Sequence, residues 1–204
     1  LITRLKDKFE IVVLANNHWG DPCGLDKDFK IYPSSNRFAQ EPFGVQRIRE
    51  VTEKEKPDIV FAVNDMWILN NLYAQIKEHH ERGDFKFVAY TPMDSYGWTG
   101  ALKDFSEKWD NLVVYTEFGA KEFFYAGVKR PVTVIPHGIT RDQFYPLDKR
   151  ECRKKLGIPE DSFIVFNGNR NQARKRIDIT IDAFAQFAVD KPDAKLYLHM
   201  GMKD

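Results

Sequence analysis

Four cations crowd one short stretch of this chain. Arg170, Arg174, Lys175 and Arg176 fall within FIVFNGNRNQARKRIDITIDAF, residues 163–184. The apolar run Phe163–Phe166 has the character of a buried strand, and from Ile177 onward apolar residues recur at 177, 181, 184, 185 and 188, one face of a helix. Strand, polar turn and helix in that order are how parallel α/β sheets present ligands, beyond the strand ends and facing a helix amino terminus. Such a terminus carries unpaired N–H groups and a positive partial charge, which favour phosphate. Arginine grips a diphosphate with a two-pronged fork, lysine acts as a point charge, and Gly168 lets backbone approach closely. A solvated basic turn and a nucleic-acid contact are the competing readings of the same cluster. No basic surface extends beyond the turn, and Lys and Arg total 31 against 30 Asp and Glu, so the nucleic-acid reading has little to support it.

Other chemistry-bearing residues are sparser. Asn64-Asp65 follows a strand-like run and precedes a helix-like one, so the pair either touches a ligand at the strand ends or caps the helix. His79-His80, between Glu78 and Glu81, reads as a solvated helix face, because a metal site there needs a further ligand from elsewhere. The charged run Lys149–Lys155 reads as an exposed helix face. No Walker loop, GxGxxG fingerprint or Ser-His-Asp set is present.

The elements that must position these residues alternate. Phe9–Ala15, Asp58–Val63, Phe85–Tyr90, Leu112–Tyr115 and Val132–Ile135 are strand-like. Helical spacing runs from Trp67 to Ile76 and from Phe118 to Ala126, the second closed by Gly127. The expected class is therefore α/β, a Rossmann-like parallel sheet with helices on both faces. Turn formers without period fill 136–146, after which the pattern restarts with strands at Phe163–Phe166 and Lys195–His199. We expect a first domain over 1–145 and an incomplete second Rossmann-like domain over 146–204. Leu1–Lys8 resembles the tail of a helix, so a strand before it is expected to be missing. Two distant cysteines, Cys23 and Cys152, suggest neither metal site nor disulfide framework, and no apolar run reaches 18 residues. The expectation is a cytoplasmic protein with no transmembrane segment.

Taken together, several motifs resemble the family-4 retaining glycosyltransferases of the GT-B fold. In that family an Arg follows the donor-domain strand and a Lys stands five positions later, just before the helix. Arg170 and Lys175 have this spacing, and IDITIDAF matches the helix. Val134-Ile135-Pro136-His137-Gly138-Ile139, with Phe144 and Pro146, is similar to the family's crossover between domains, and Leu156-Gly157-Ile158-Pro159 fits as well. The resemblance covers roughly residues 110–200, and the first half in architecture only.

It implies a hexosyl transfer from a UDP- or GDP-sugar to an acceptor, with retention, in a GT-B-like protein needing neither metal nor cofactor. Arg170 and Lys175 would hold the diphosphate and neutralise charge on the leaving phosphate. Gly138 would allow close approach at the interdomain cleft, or merely turn the chain, and His137 beside it is more simply part of that turn. Many members carry His-Asp where this chain has Met93-Asp94, so Asp94 either faces a sugar or is an ordinary loop aspartate. The family's paired glutamates and its Gly-rich acceptor loop are absent from these 204 residues, so the chain alone is expected to be inactive. The alternative is a non-catalytic phospho-ligand-binding or regulatory module of the same fold.

Overall fold

The computed structural model describes residues 2–35, 41–98, 103–104 and 106–201. It divides into two compact units, Leu1–Gly138 and Ile139–Asp204. In the first unit the order is α1 (Ile2–Leu5), β1 (Val12–Ala15), β2 (Lys30–Pro33), α2 (Ile48–Glu55), β3 (Ile59–Val63), α3 (Met66–Glu81), β4 (Lys86–Thr91), β5 (Asn111–Val114), α4 (Glu117–Tyr125) and β6 (Val132–Val134). The second contains α5 (Lys149–Leu156), β7 (Phe163–Asn167), a 3₁₀ turn (Ala173–Lys175), α6 (Ile177–Phe187) and β8 (Ala194–Leu198). Every strand pair is parallel, the α/β class the sequence leads one to expect.

The first unit holds a β1-β2 pair and a four-stranded sheet in the order β3-β4-β5-β6. When strands follow chain order across a sheet, right-handed crossovers place the connecting helices on the same face. One core results. Leu69, Leu72, Tyr73 and Ile76 of α3 pack with Phe87, Ala89, Leu112 and Val114, joined by Ile48 of α2 and Phe123 of α4. Trp109 closes it, fully buried against the rings of Tyr73 and Phe87. On β3 the alternate residues Ile59, Phe61 and Val63 stay 48, 46 and 42% exposed, so that strand is covered on one face only, where the continuous apolar run predicts two.

Element ends differ from the sequence pattern in instructive ways. The first strand loses Phe9–Ile11, and Phe9 is half exposed. Leu1 lies outside the described residues, and the expected helix tail spans Ile2–Leu5. β2 and α2 carry weak signals, since β2 is four residues ending in proline and α2 buries only Ile48, Val51 and Thr52. In the second unit β7 and β8 pair with Phe163 opposite Ala194, and Asp148 caps α5 by accepting from the N–H groups of Arg150 and Glu151. α6 has no buried residue: Ile177, Phe184 and Ala188 are half-buried, while Ile181 and Ala185 are exposed. Among the described residues of this unit only Ser162 and Ala194 are buried.

The histidine pair is not a solvated face. α3 runs past the periodic stretch to Glu81, and its last turn docks on the strand starts. His80 Nε2 lies 2.6 Å from Asp110 Oδ2, and its Nδ1 lies 2.9 Å from the Tyr73 hydroxyl. His79 bridges Glu53 and Asp84, each at 3.1 Å. Asp110 also accepts from the Phe87 N–H at 2.8 Å and pairs with Lys86 at 3.0 Å. Burial pushes the Asp110 carboxyl up, but the Phe87 N–H, His80 and Lys86 together overcome it and hold it down at about 2. A carboxyl lowered on folding stabilises the native state above its unfolded value near 3.8, and that contribution fades as pH falls through the folded value. Asp110→Asn should therefore cost about 1–2 kcal/mol at neutral pH in urea melts, and the difference from the native chain should vanish towards pH 2.

Candidate functional site

In a parallel sheet all strands end at one edge, so residues following each strand gather there. In the second unit Asn167 ends β7. Its side-chain N–H donates to Thr180 Oγ1 at 3.1 Å, fastening the strand to the first turn of α6. Its side-chain oxygen, Oδ1, accepts from the Asn169 backbone N–H at 3.1 Å and side-chain N–H at 2.8 Å, which shapes the turn around Gly168. Gly168 is exposed, and a Cβ there would meet only the ring of Phe166, itself largely exposed, at 3.0 Å. Arg170 then leads into the 3₁₀ turn, where the Lys175 N–H donates to Gln172 O at 2.8 Å.

The cation cluster is three strong rather than four. Arg176 adopts φ 47° and spends its guanidinium on Asp178 at 2.8 Å. That pairing lowers the Asp178 carboxyl, and the backbone N–H groups of Ile179 and Asp178 hold it down further. Asp178 thus occupies part of the helix terminus that the sequence left open for an anion. Among the described residues Arg170, Arg174 and Lys175 form no ion pair. Arg170 is exposed and Lys175 half-buried.

In the first unit Asp65 stands at the N-cap position of α3, and its carbonyl accepts from the N–H groups of Ile68 and Leu69 at 3.0 Å. Its carboxylate makes no capping bond, while Asn64 turns back to accept from the Asp65 N–H at 2.9 Å. The carboxylate therefore remains available at the strand edge. Its field reaches Tyr115, whose hydroxyl is pushed up first by burial and then by Tyr90 and Asp65. Tyr115 packs against His137 at 3.8 Å and Tyr90 at 4.5 Å between ring centroids. The Tyr90 hydroxyl donates to Ile135 O at 2.7 Å, securing the chain as it leaves β6. Asp65, Tyr90, Tyr115 and His137 are thereby brought together. The two tyrosines escape a motif search, although both sit at the ends of neighbouring strand-like runs.

Asp94 stands apart from this cluster. It is exposed after β4, and its carboxylate has no partner among the described residues. Met93 beside it is 5% exposed and packs into the core, with a Cβ built at Gly119 only 3.1 Å from its own. Position 93 faces inward and position 94 outward. Gly138 meets nothing within 4 Å and does not take a left-handed φ, so neither crowding nor torsion demands glycine there. Among the described residues no group of His, Cys, Asp and Glu is placed to hold a metal ion, and no helix is long and apolar enough to cross a membrane.

No family model matches the chain. Individual relatives do. Over 85 residues it is 32% identical to D-inositol 3-phosphate glycosyltransferase of Geodermatophilus obscurus, covering 41% of this chain and 19% of that protein. The corresponding protein of a Nocardioides species is 30% identical over 88 residues, 42% of this chain and 19% of the relative. Alpha-galactosylglucosyldiacylglycerol synthase of Streptococcus pneumoniae is 32% identical over 78 residues, 36% and 21% of the two chains. The likeness is to glycosyltransferases. The match spans about a fifth of the length of these transferases.

Gly138, after β6, and Gly119, in the first turn of α4, should respond differently. Gly138→Ala should leave stability within about 0.5 kcal/mol, whereas Gly119→Ala should lose about 1–3 kcal/mol by driving a methyl against Met93 and Val114. Urea titration followed by tryptophan fluorescence would measure both.

Proposed function

We propose that this chain belongs to a retaining glycosyltransferase of the GT-B type, family 4, with its acceptor-side domain over 1–145 and the start of its donor-side domain over 146–204. The observation that carries the reading is the pair Arg170 and Lys175, without ion-pair partners among the described residues and spaced across the turn between β7 and α6. Charge left unneutralised at such a junction suits the diphosphate of a UDP- or GDP-sugar. As the bond from the sugar to its phosphate breaks, negative charge grows on the departing nucleoside diphosphate. Fixed cations stabilise that charge without a metal, and Gly168 keeps a side chain out of the way. Asn64, Asp65, His137 and Gly138 would border the acceptor on the first unit, and Asp94 would face a sugar hydroxyl. A hydroxyl-rich acceptor is in keeping with the inositol phosphate and glycosyldiacylglycerol in the relatives' names. Two free cysteines suit a reducing cytoplasm.

A second reading, a non-catalytic phospho-ligand module, draws on Met93. The position where many family members carry histidine is here a core residue, leaving Asp94 without that neighbour.

Calorimetric titration of UDP and GDP into the chain tests the diphosphate site. Arg170→Ala/Lys175→Ala should weaken binding at least about 100-fold, as expected for losing two charge-assisted contacts; undiminished binding would mean that the turn is only solvated. The 204-residue chain by itself should show no sugar transfer from UDP- or GDP-hexoses, and measurable turnover would count against this assignment of domains.

A further inference from the structure

The segments that follow β2 and β3 meet around a cavity of about 480 Å³, bordered by Glu41, Phe43, Gln46, Trp67 and Asn71 among others. Its wall is firmly held. Pro42 O accepts from the Asn17 N–H at 2.7 Å and the Ser34 hydroxyl at 2.9 Å, and Glu41 O accepts from the Ser35 hydroxyl at 2.8 Å. Both serines are almost wholly buried. Gly44 takes φ +80°, and a Cβ there would lie 2.8 Å from the Leu14 side chain, so only glycine lets the segment pass this close. A site fixed in advance loses less freedom when a ligand enters.

The lining combines three kinds of group. Trp67 is 55% exposed in the first turn of α3, with Phe43 set edge-on against it at 5.6 Å. Gln46 and Asn71 supply exposed amides that both donate and accept. Glu41 gives one carboxylate oxygen to the Phe43 N–H at 2.7 Å, and the other is buried with no donor among the described residues. A carboxylate oxygen short of a donor calls for one. An indole face beside amides and a carboxylate matches a sugar ring, whose C–H face stacks on the aromatic while its hydroxyls bond to the polar rim. Among the described residues that line it none is cationic, which favours a neutral ligand over a phosphate.

We propose that this cavity binds a neutral sugar ring, with Trp67 as the stacking surface and Glu41 as the hydroxyl acceptor. Any part it plays in holding an acceptor, beyond the residues named above, rests on the transfer reading; binding itself does not. Saturation-transfer NMR on the 204-residue chain tests it, with methyl α-glucoside, maltose and glucose 6-phosphate as probes. Both neutral sugars should receive saturation on their ring protons, more than the phosphate does. Trp67→Ala should weaken that signal about 3-fold or more, with Trp67→Phe recovering part of it. Glu41→Gln, which keeps the shape, should weaken it too, and it stands as the test should Trp67→Ala fail to fold. No signal from the neutral sugars, an equal signal in the folded variants, or a stronger one from glucose 6-phosphate overturns the proposal. UDP titrated into the same sample separates the two readings. Nucleotide bound without sugar sinks only the cavity, and sugar bound without nucleotide sinks only the transferase.

Discussion

Within each sheet of this chain, parallel pairing obliges a strand to begin at the same edge as its neighbour, so the connection between consecutive strands must travel back along the sheet. Travelling back takes a helix or a long segment, and right-handed crossover then decides the side on which it lies. With β3-β4-β5-β6 in chain order, one face collects the core around α3 and the other does not. The same rule sends Asn64-Asp65, Asp94, Tyr115 and His137 towards one rim, although their numbers span more than a third of the chain. The second unit repeats the arrangement with β7 and β8, and its polar turn occupies the equivalent place at a strand's end.

The two rims of the first unit's sheet are electrostatically unlike. At the amino ends, Asp110 is engaged by a backbone N–H, a histidine and a lysine, and Arg130 donates to the Asp110 carbonyl at 2.9 Å. Charges there are balanced, and they hold elements together. At the carboxyl ends, Asp65 stands in a capping position without capping, and Asp94 has no partner among the described residues. Carboxylates left without partners contribute little to folding. In the second unit the contrast falls between neighbours, since Arg176 is consumed by Asp178 while Arg170 and Lys175 are not.

The sequence carries the order of elements well wherever an apolar run or a helical stripe is long. β3, β4, α3, α4, β7 and α6 all fall within a few residues of their patterns. It carries β2 and α2 poorly, because four residues with a terminal proline and a helix with two apolar anchors produce no clear period. The basic turn was legible because charge density is a local property. The Arg176–Asp178 pair was not, since it depends on a left-handed backbone at residue 176. The setting of His80 is illegible for a similar reason: its partner Asp110 lies thirty residues away and meets it only once the sheet has formed. The cavity beside Trp67 was equally invisible, being assembled from segments that no single motif spans.

β3 closes one side of its sheet, and its outward alternate residues are isoleucine, phenylalanine and valine. A border strand of that composition has backbone groups on its outer side and no lysine, proline or bulge to deter another chain from adding to it. In the test tube it sets a ceiling on concentration. A charged residue in place of Ile59, which is 48% exposed at the start of β3, would raise that ceiling.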